Sequence, residues 1–165
     1  MIIGLAGKKQ TGKDTSSIYL SKIPHLNLKH VAFATKLKQI TGDLFGLDFF
    51  NMIGEEKELH RIKLQFVGDT MRELEPYIWI DSLFREHPDN IVISDVRYPN
   101  EVNRIKELGG YVIHIKRNTG MFDSHNSENA LKNFSCFDAE IDNNGTFEDL
   151  YRQLNEIMLM IYGVK

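Results

Sequence analysis

Cysteine is almost missing from this chain: Cys136 is the single one in 165 residues, so no disulfide can close within it. A reducing compartment is the natural setting for such usage, and a buried bystander is the expected role for that thiol. Long apolar runs are missing too, and nothing approaches the roughly 20 consecutive residues a membrane span needs. The apolar start at Met1 to Gly7 is short and runs into Lys8 and Lys9, which does not fit a secretion signal. Charge of one sign is not in excess. Lys plus Arg number 20 against 23 Asp plus Glu, a net −3, so the overall balance calls for neither a nucleic-acid backbone nor an anionic membrane. Repeats and linkers are absent as well. An apolar fraction of 42% and a charged fraction of 26% are ordinary globular values. The expectation is one cytosolic domain over residues 1–165, long enough to hide roughly 70% of its unfolded surface.

What is present alternates. Met1 to Ala6, His30 to Ala34, Asn90 to Ser94, Tyr111 to Lys116 and Ala139 to Asp142 are short apolar runs of buried-strand character. Between them, helical spacing predicts helices over Lys13 to Ser21, Thr35 to Phe45 (Leu37, Ile40, Leu44) and Glu55 to Leu74 (Leu59, Ile62, Phe66, Met71). Gly68 is expected to break the third or mark a functional turn. Pro76 suits the first turn of a helix through Phe84, and Pro99 that of one ending at Leu108 before Gly109 and Gly110. Thr146 caps a closing helix carrying Leu150, Leu154, Ile157 and Ile161. Thr119 to Asn133 is polar, weakly periodic and the place for a lid, within a segment of about 117–133. The fold class is therefore α/β: a parallel central sheet of about five strands with helices on both faces, binding ligands at the carboxyl ends of its strands.

The strongest motif is Gly7, four residues, then Gly12-Lys13-Asp14-Thr15, between the first strand and the first helix. Glycines there let backbone N–H groups curl around phosphate oxygens, the helix N-terminus adds partial positive charge, and Lys13 bridges outer phosphates. Thr11 lies inside the loop; Lys9, beside Lys8, is either a further phosphate contact or a solvated edge. The usual pattern sets Ser or Thr directly after the lysine, whereas here Asp14 intervenes and Thr15 follows. The second motif is Ile91-Val92-Ile93-Ser94-Asp95, an apolar strand ending in a carboxylate suited to a Mg²⁺ carried by the nucleotide. Arg97, two residues on, offers a planar fork for a phosphate. Glu101 or Asn100 serves the next helix as a cap or supports the site behind Arg97.

Taken together, Gly12-Lys13-Asp14-Thr15, Phe33-Ala34-Thr35-Lys36-Leu37-Lys38, Leu64-Gln65 with Gly68 and Arg72, Trp79, and Ile93 through Glu101 resemble a bacteriophage deoxynucleoside monophosphate kinase. The spacing Gly-Lys-x-Thr is similar to the loop of adenylate-kinase-like enzymes. His125-Asn126-Ser127-Glu128 resembles the lid segment of the family, and Ile141 through Gly145 its last strand and turn. The resemblance implies a three-layer P-loop kinase fold with a lid, and ATP- and Mg²⁺-dependent phosphorylation of deoxynucleoside 5′-monophosphates to diphosphates.

Under that resemblance, Gly7, Lys9, Thr11, Gly12, Lys13, Asp14 and Thr15 bind the donor, and Thr15 with Asp95 holds Mg²⁺. Lys13, Asp14, Asp95, Arg97 and Arg117 carry the catalysis, Arg117 as an internal arginine finger. Lys38, Gln65, Arg72, Trp79, Arg97, Glu101, His125 and Glu128 serve the acceptor. Trp79 stacks on a base or packs in the core. His125 is not expected to bind metal, since no second His or Cys lies at ligand spacing. The family also implies a homodimer, a small-molecule substrate with no nucleic-acid or membrane partner, and a (host-cell) cytoplasmic location. Two other readings stay open on the residues: a kinase of another small phosphorylated or hydroxyl metabolite, similar to dephospho-coenzyme-A kinase, and a non-catalytic nucleotide-binding protein.

Overall fold

Short runs of Ile, Val and Leu flanked by helices become strands buried on both faces, as at 2–6 and 91–96, and with the more exposed strands at 29–31 and 139–142 on the sheet edges, five pair here in parallel. The structure is a computed structural model that describes residues 1–120 and 126–163. The strands are β1 (Ile2–Ala6), β2 (Lys29–Val31), β3 (Ile91–Val96), β4 (Tyr111–Lys116) and β5 (Ala139–Asp142), ordered β2-β3-β1-β4-β5. Every pairing is parallel. All carboxyl ends therefore share one sheet edge, which is where the motif residues of β1, β3 and β4 emerge.

The chain divides into two compact units, Met1–Val31 with Asp89–Lys165, and Ala32–Pro88. The first holds the whole sheet with α1 (Lys13–Ser21), α5 (Pro99–Glu107), the four-residue α6 (Asn126–Asn129) and α7 (Phe147–Gly163). One sheet face packs Ile3, Leu5, Ile113 and Ile141 with Leu20 of α1 and Leu150, Leu154 and Ile157 of α7. The other receives α5, whose Ile105 and Val102 are fully buried. Asp149 accepts hydrogen bonds from the Thr146 amide and hydroxyl, and the Thr146 hydroxyl accepts from the Asp149 amide, the reciprocal cap that starts α7.

The second unit is helical: α2 (Ala34–Phe45), α3 (Gly54–Leu74) and α4 (Ile78–Glu86). It departs from the periodic reading. The residues that set the spacing in α3, Leu59, Ile62 and Phe66, are about 70% exposed, and Ile40 and Leu44 of α2 are exposed as well. The inward face of α3 runs through Leu64, Val67, Gly68 and Met71, so Met71 alone of the four spacing residues lies on it. Helical period identifies a stripe and does not say whether that stripe faces its own core. Gly68 breaks nothing; α3 continues through it, and a Cβ there would crowd Leu37 of α2 at 3.1 Å. The glycine is a point of close helix packing. Pro76 precedes α4, which begins at Ile78 rather than at the proline. Cys136 is exposed, not buried.

Candidate functional site

The loop from Gly7 to Gly12 needs backbone angles that only glycine adopts easily. Gly7 has φ 145° and Gly12 φ 102°. A Cβ on Gly7 would meet the Ile115 carbonyl of β4 at 2.4 Å, so the chain passes too close to that strand for any side chain. Within the loop, the Thr11 hydroxyl donates to the Lys8 carbonyl at 2.9 Å, and the Lys13 ammonium donates to the same oxygen. Lys13 is only 6% exposed, held over the loop it serves. Asp14 is exposed in the first turn of α1, Thr15 is half-buried and Lys9 likewise. The result is a preshaped cradle of backbone N–H groups at a helix N-terminus, the geometry that binds phosphate.

Asp95 reaches the same sheet edge from β3. It does not end the strand, which continues to Val96. Gly4 pairs with Ile93 and Ala6 with Val96, so Ser94 and Asp95 stand opposite Leu5 alone. Such a bulge turns a side chain out of the strand's alternation and is common beside active sites. Ser94 is buried, 3.0 Å from the His30 imidazole on β2. Asp95 itself is half-buried.

Arg97 follows, half-buried, at the start of the turn into α5. Glu101 is buried, and its carboxylate accepts the Arg97 amide at 2.7 Å and the Tyr98 amide at 3.1 Å, the capping task expected of it or Asn100. It caps α5 and holds the backbone that carries Arg97. Arg117 leaves β4 exposed.

His114 was not singled out in the sequence, yet it pairs across from Ala6, the last residue before the loop. Its ring stacks on Phe137 with centroids 4.4 Å apart, and Nδ1 lies 3.4 Å from Glu140, which also binds Lys116 at 2.7 Å. Burial pushes the imidazole below its ordinary value; Glu140 opposes this, while Lys116 and, more weakly, Lys13 reinforce it. The Lys116 and His114 hydrogen bonds and charges hold the Glu140 carboxyl below its ordinary value. Asn143, in the turn expected after β5, is buried with its side-chain amide on the Thr11 carbonyl of the loop. Only its place after the last strand, at the ligand edge of the sheet, could have signalled it.

In the second unit, Trp79 is 3% exposed and its indole N–H donates to the Gly68 carbonyl at 3.2 Å. Of the two readings of Trp79, core packing is the one this burial and hydrogen bond support. Arg72 lies 3.4 Å from Asp69, one turn away. Gln65 is half-buried and Lys38 stands 5.7 Å over the Phe50 ring. Lys36, Lys38, Gln39, Asp43 and Phe50 line an open cleft of about 460 Å³. His125 and the Glu128 side chain lie outside the described residues.

Among the described residues no three His, Cys, Asp or Glu gather as a metal cage. Mg²⁺ keeps several waters and takes one or two protein oxygens beside the phosphates. The hydroxyl of Thr15 in the first turn of α1 and the carboxylate of Asp95 are hard oxygens of that kind, on elements that pack together, α1 and β3. The donor set fits.

The sequence model described as deoxynucleotide monophosphate kinase matches residues 73–154. A protein of Acanthamoeba polyphaga mimivirus, provisionally named a deoxynucleotide monophosphate kinase, is 33% identical over 93% of this chain and 94% of its own length. The uncharacterized protein ORF76 of Ictalurid herpesvirus 1 (strain Auburn) is 30% identical over 94% of this chain, which spans 66% of that protein. Among solved structures, shikimate kinase from Aquifex aeolicus aligns over 99% of this chain and 97% of its own at 19% identity and TM-score 0.51. Shikimate kinase from Acinetobacter baumannii, in complex with shikimate, aligns over 99% and 94% at 13% identity and TM-score 0.55. These two share the fold. With the phosphate cradle on a parallel five-stranded sheet and a viral relative matched along nearly its whole length, the chain belongs to the deoxynucleotide monophosphate kinase family of phosphotransferases.

Proposed function

We propose that the protein transfers the terminal phosphoryl group of ATP to a deoxynucleoside 5′-monophosphate, giving ADP and the deoxynucleoside diphosphate. The observation that carries this reading is the phosphate cradle, two glycines at positive φ closed over by buried Lys13, in a chain of this family. The acceptor is a phosphate whose second pKa is about 6, already largely a dianion near neutrality. No strong base is required, and the task is to align two polyanions in a site that excludes water.

The loop backbone and Lys13 take the donor phosphates, with Lys9 and Thr11 at their margin. Thr15 and Asp95 hold Mg²⁺, which when bound neutralises phosphate charge and fixes donor geometry. Asp14 orients the acceptor or a metal-bound water, Arg97 grips the acceptor phosphate, and Arg117 serves as the finger for charge developing in transfer. Lys38, Gln65 and Arg72 of the second unit carry acceptor recognition, as do His125 and Glu128 in the lid. A cytoplasmic reaction belongs to this proposal on the strength of the family resemblance alone. Among the described residues no helix is long and apolar enough to cross a membrane.

A homodimer belongs to the same proposal. The exposed apolar stripe of α3, Leu59, Ile62 and Phe66, is the surface we assign to a second copy of the chain. Sedimentation of Phe66→Glu as a monomer beside a dimeric parent supports it; a monomeric parent ends it.

The deciding assay is Mg²⁺-dependent ADP production with dTMP, dGMP, dCMP, dAMP, their ribose counterparts and dephospho-coenzyme A offered in parallel. Turnover confined to deoxynucleotides is expected. ATP binding with no deoxynucleotide phosphorylated would remove the acceptor assignment.

A further inference from the structure

The turn after β5 touches two separate parts of the ligand edge. Asn143 is 5% exposed, and its side-chain amide donates to the Thr11 carbonyl at 2.8 Å, 132 residues away in sequence. Its backbone N–H donates to the Lys116 carbonyl at 2.8 Å. The side-chain oxygen of Asn144 accepts the Asn118 amide, also at 2.8 Å. The turn is itself anchored. Gln153 of α7 donates to the Asp142 carbonyl at 2.9 Å and accepts the Asp142 amide at 3.2 Å, and Asn144 is tied back to the Asp142 carboxylate.

Peptide planarity turns these bonds into orientation. The carbonyl of Thr11 and the amide of Gly12 belong to one rigid plane and point in opposite directions. Pinning the carbonyl toward Asn143 aims the Gly12 N–H away from the turn, toward the other side of the loop. Gly12 makes room for this contact, because a Cβ there would lie 2.4 Å from the Asn143 amide nitrogen. Arg117 is bracketed in the same manner: the carbonyl before it is held by Asn143 and the amide after it by the Asn144 side chain.

We propose that Asn143 and Asn144 are positioning residues with separable duties, Asn143 fixing the phosphate loop for the donor and Asn144 fixing the segment that carries Arg117. This rests on the reading that the loop binds donor phosphates. Asn143→Ala removes the bond to Thr11 yet keeps the backbone bond to Lys116, whereas Asn144→Ala removes the side-chain bonds to Asn118 and to the Asp142 carboxylate and keeps the backbone bond to that carboxylate.

The test measures, for the full chain, ATP affinity with Mg²⁺ by calorimetry, kcat, and amide exchange of the nucleotide-free protein. Asn143→Ala is expected to weaken ATP binding about tenfold and to speed exchange at Gly12 and Lys13. Asn144→Ala is expected to leave ATP affinity within about twofold and to lower kcat about tenfold. Asn143→Ser, too short to reach the Thr11 carbonyl, gives the same readout if the alanine variant does not fold. Unchanged ATP affinity and unchanged exchange in the Asn143 variants would overturn the proposal, as would an equal loss of ATP affinity in both alanine variants, which would mean the turn acts only as a structural unit. A wild-type protein without ATP affinity would instead refute the donor-loop reading, and the exchange comparison on nucleotide-free protein would still decide whether Asn143 orders the loop.

Discussion

The two units use their residues in opposite ways. In Met1–Val31 with Asp89–Lys165, the residues of the inner strands β1 and β3 are buried except for half-buried Asp95, and polar groups at the sheet edge are tied to backbone groups far away in sequence. In Ala32–Pro88, three helices pack around Trp79 and Gly68 while Leu44, Leu59, Ile62 and Phe66 face outward. A buried parallel sheet leaves its strands one arrangement and so suits groups that must hold still during phosphoryl transfer. Amphipathic helices with apolar outer faces suit recognition, of an acceptor or of a second copy, where sequence can vary without loss of the scaffold.

If that division holds, changes in the first unit strike the donor and the chemistry, and changes in the second strike the acceptor. Lys13→Ala should lower kcat/KM about 100- to 1,000-fold in steady-state assays, the cost of removing one preorganised charge from transferring phosphates. Retained turnover would break the comparison at its strongest point. Gly12→Ala comes next: φ 102° disfavours alanine and the new Cβ meets Asn143, so ATP affinity should fall by about 10- to 100-fold. In an Asn143→Ala background part of that loss should return, because one of the two penalties is gone. Arg72→Ala should raise the acceptor KM about tenfold and leave ATP affinity nearly unchanged. An effect on ATP alone would erase the division of labour.

Acidification separates the units more gently. His114 is neutral in the fold at a pH where the unfolded chain would protonate it, so stability falls as pH drops below the ordinary imidazole value of 6.5 and stops falling beneath the lowered folded value. Glu140 contributes stability above the ordinary carboxyl value of 4.5 and loses it as pH falls through its lowered folded value. Urea midpoints should therefore decline on both counts, and His114→Phe should remove the first decline. The smallest effect belongs to Gly68→Ala. Helix propensity favours alanine by about 1 kcal/mol and crowding against Leu37 and Arg72 offsets a similar amount, so thermal denaturation should move little.

Local chemistry was legible. Gly7, Gly12 and Lys13 mark a phosphate loop because its conformation and charge are written into neighbouring residues, and the strand runs announce themselves because both faces must be apolar. The alternation of strand and helix then left a parallel sheet as the fold. What stayed hidden depends on how the elements pack. Of the tasks open to Glu101, capping α5 is the one its bonds to the Arg97 and Tyr98 amides serve. Of the two open to Trp79, packing is the one its bond to the Gly68 carbonyl serves. The stripe of Leu59, Ile62 and Phe66 had helical period, but period carries no direction. Sequence alone determined the phosphate loop and the succession of strands and helices, since each rests on residues adjacent or one turn apart, and the kinase resemblance, which rests on the order of its motifs along the chain. Only the tertiary structure decided which side chains are structural and that Asn143 and Asn144 hold the loop and the Arg117 segment, because a hydrogen bond across 132 residues exists only once the sheet has brought its ends together.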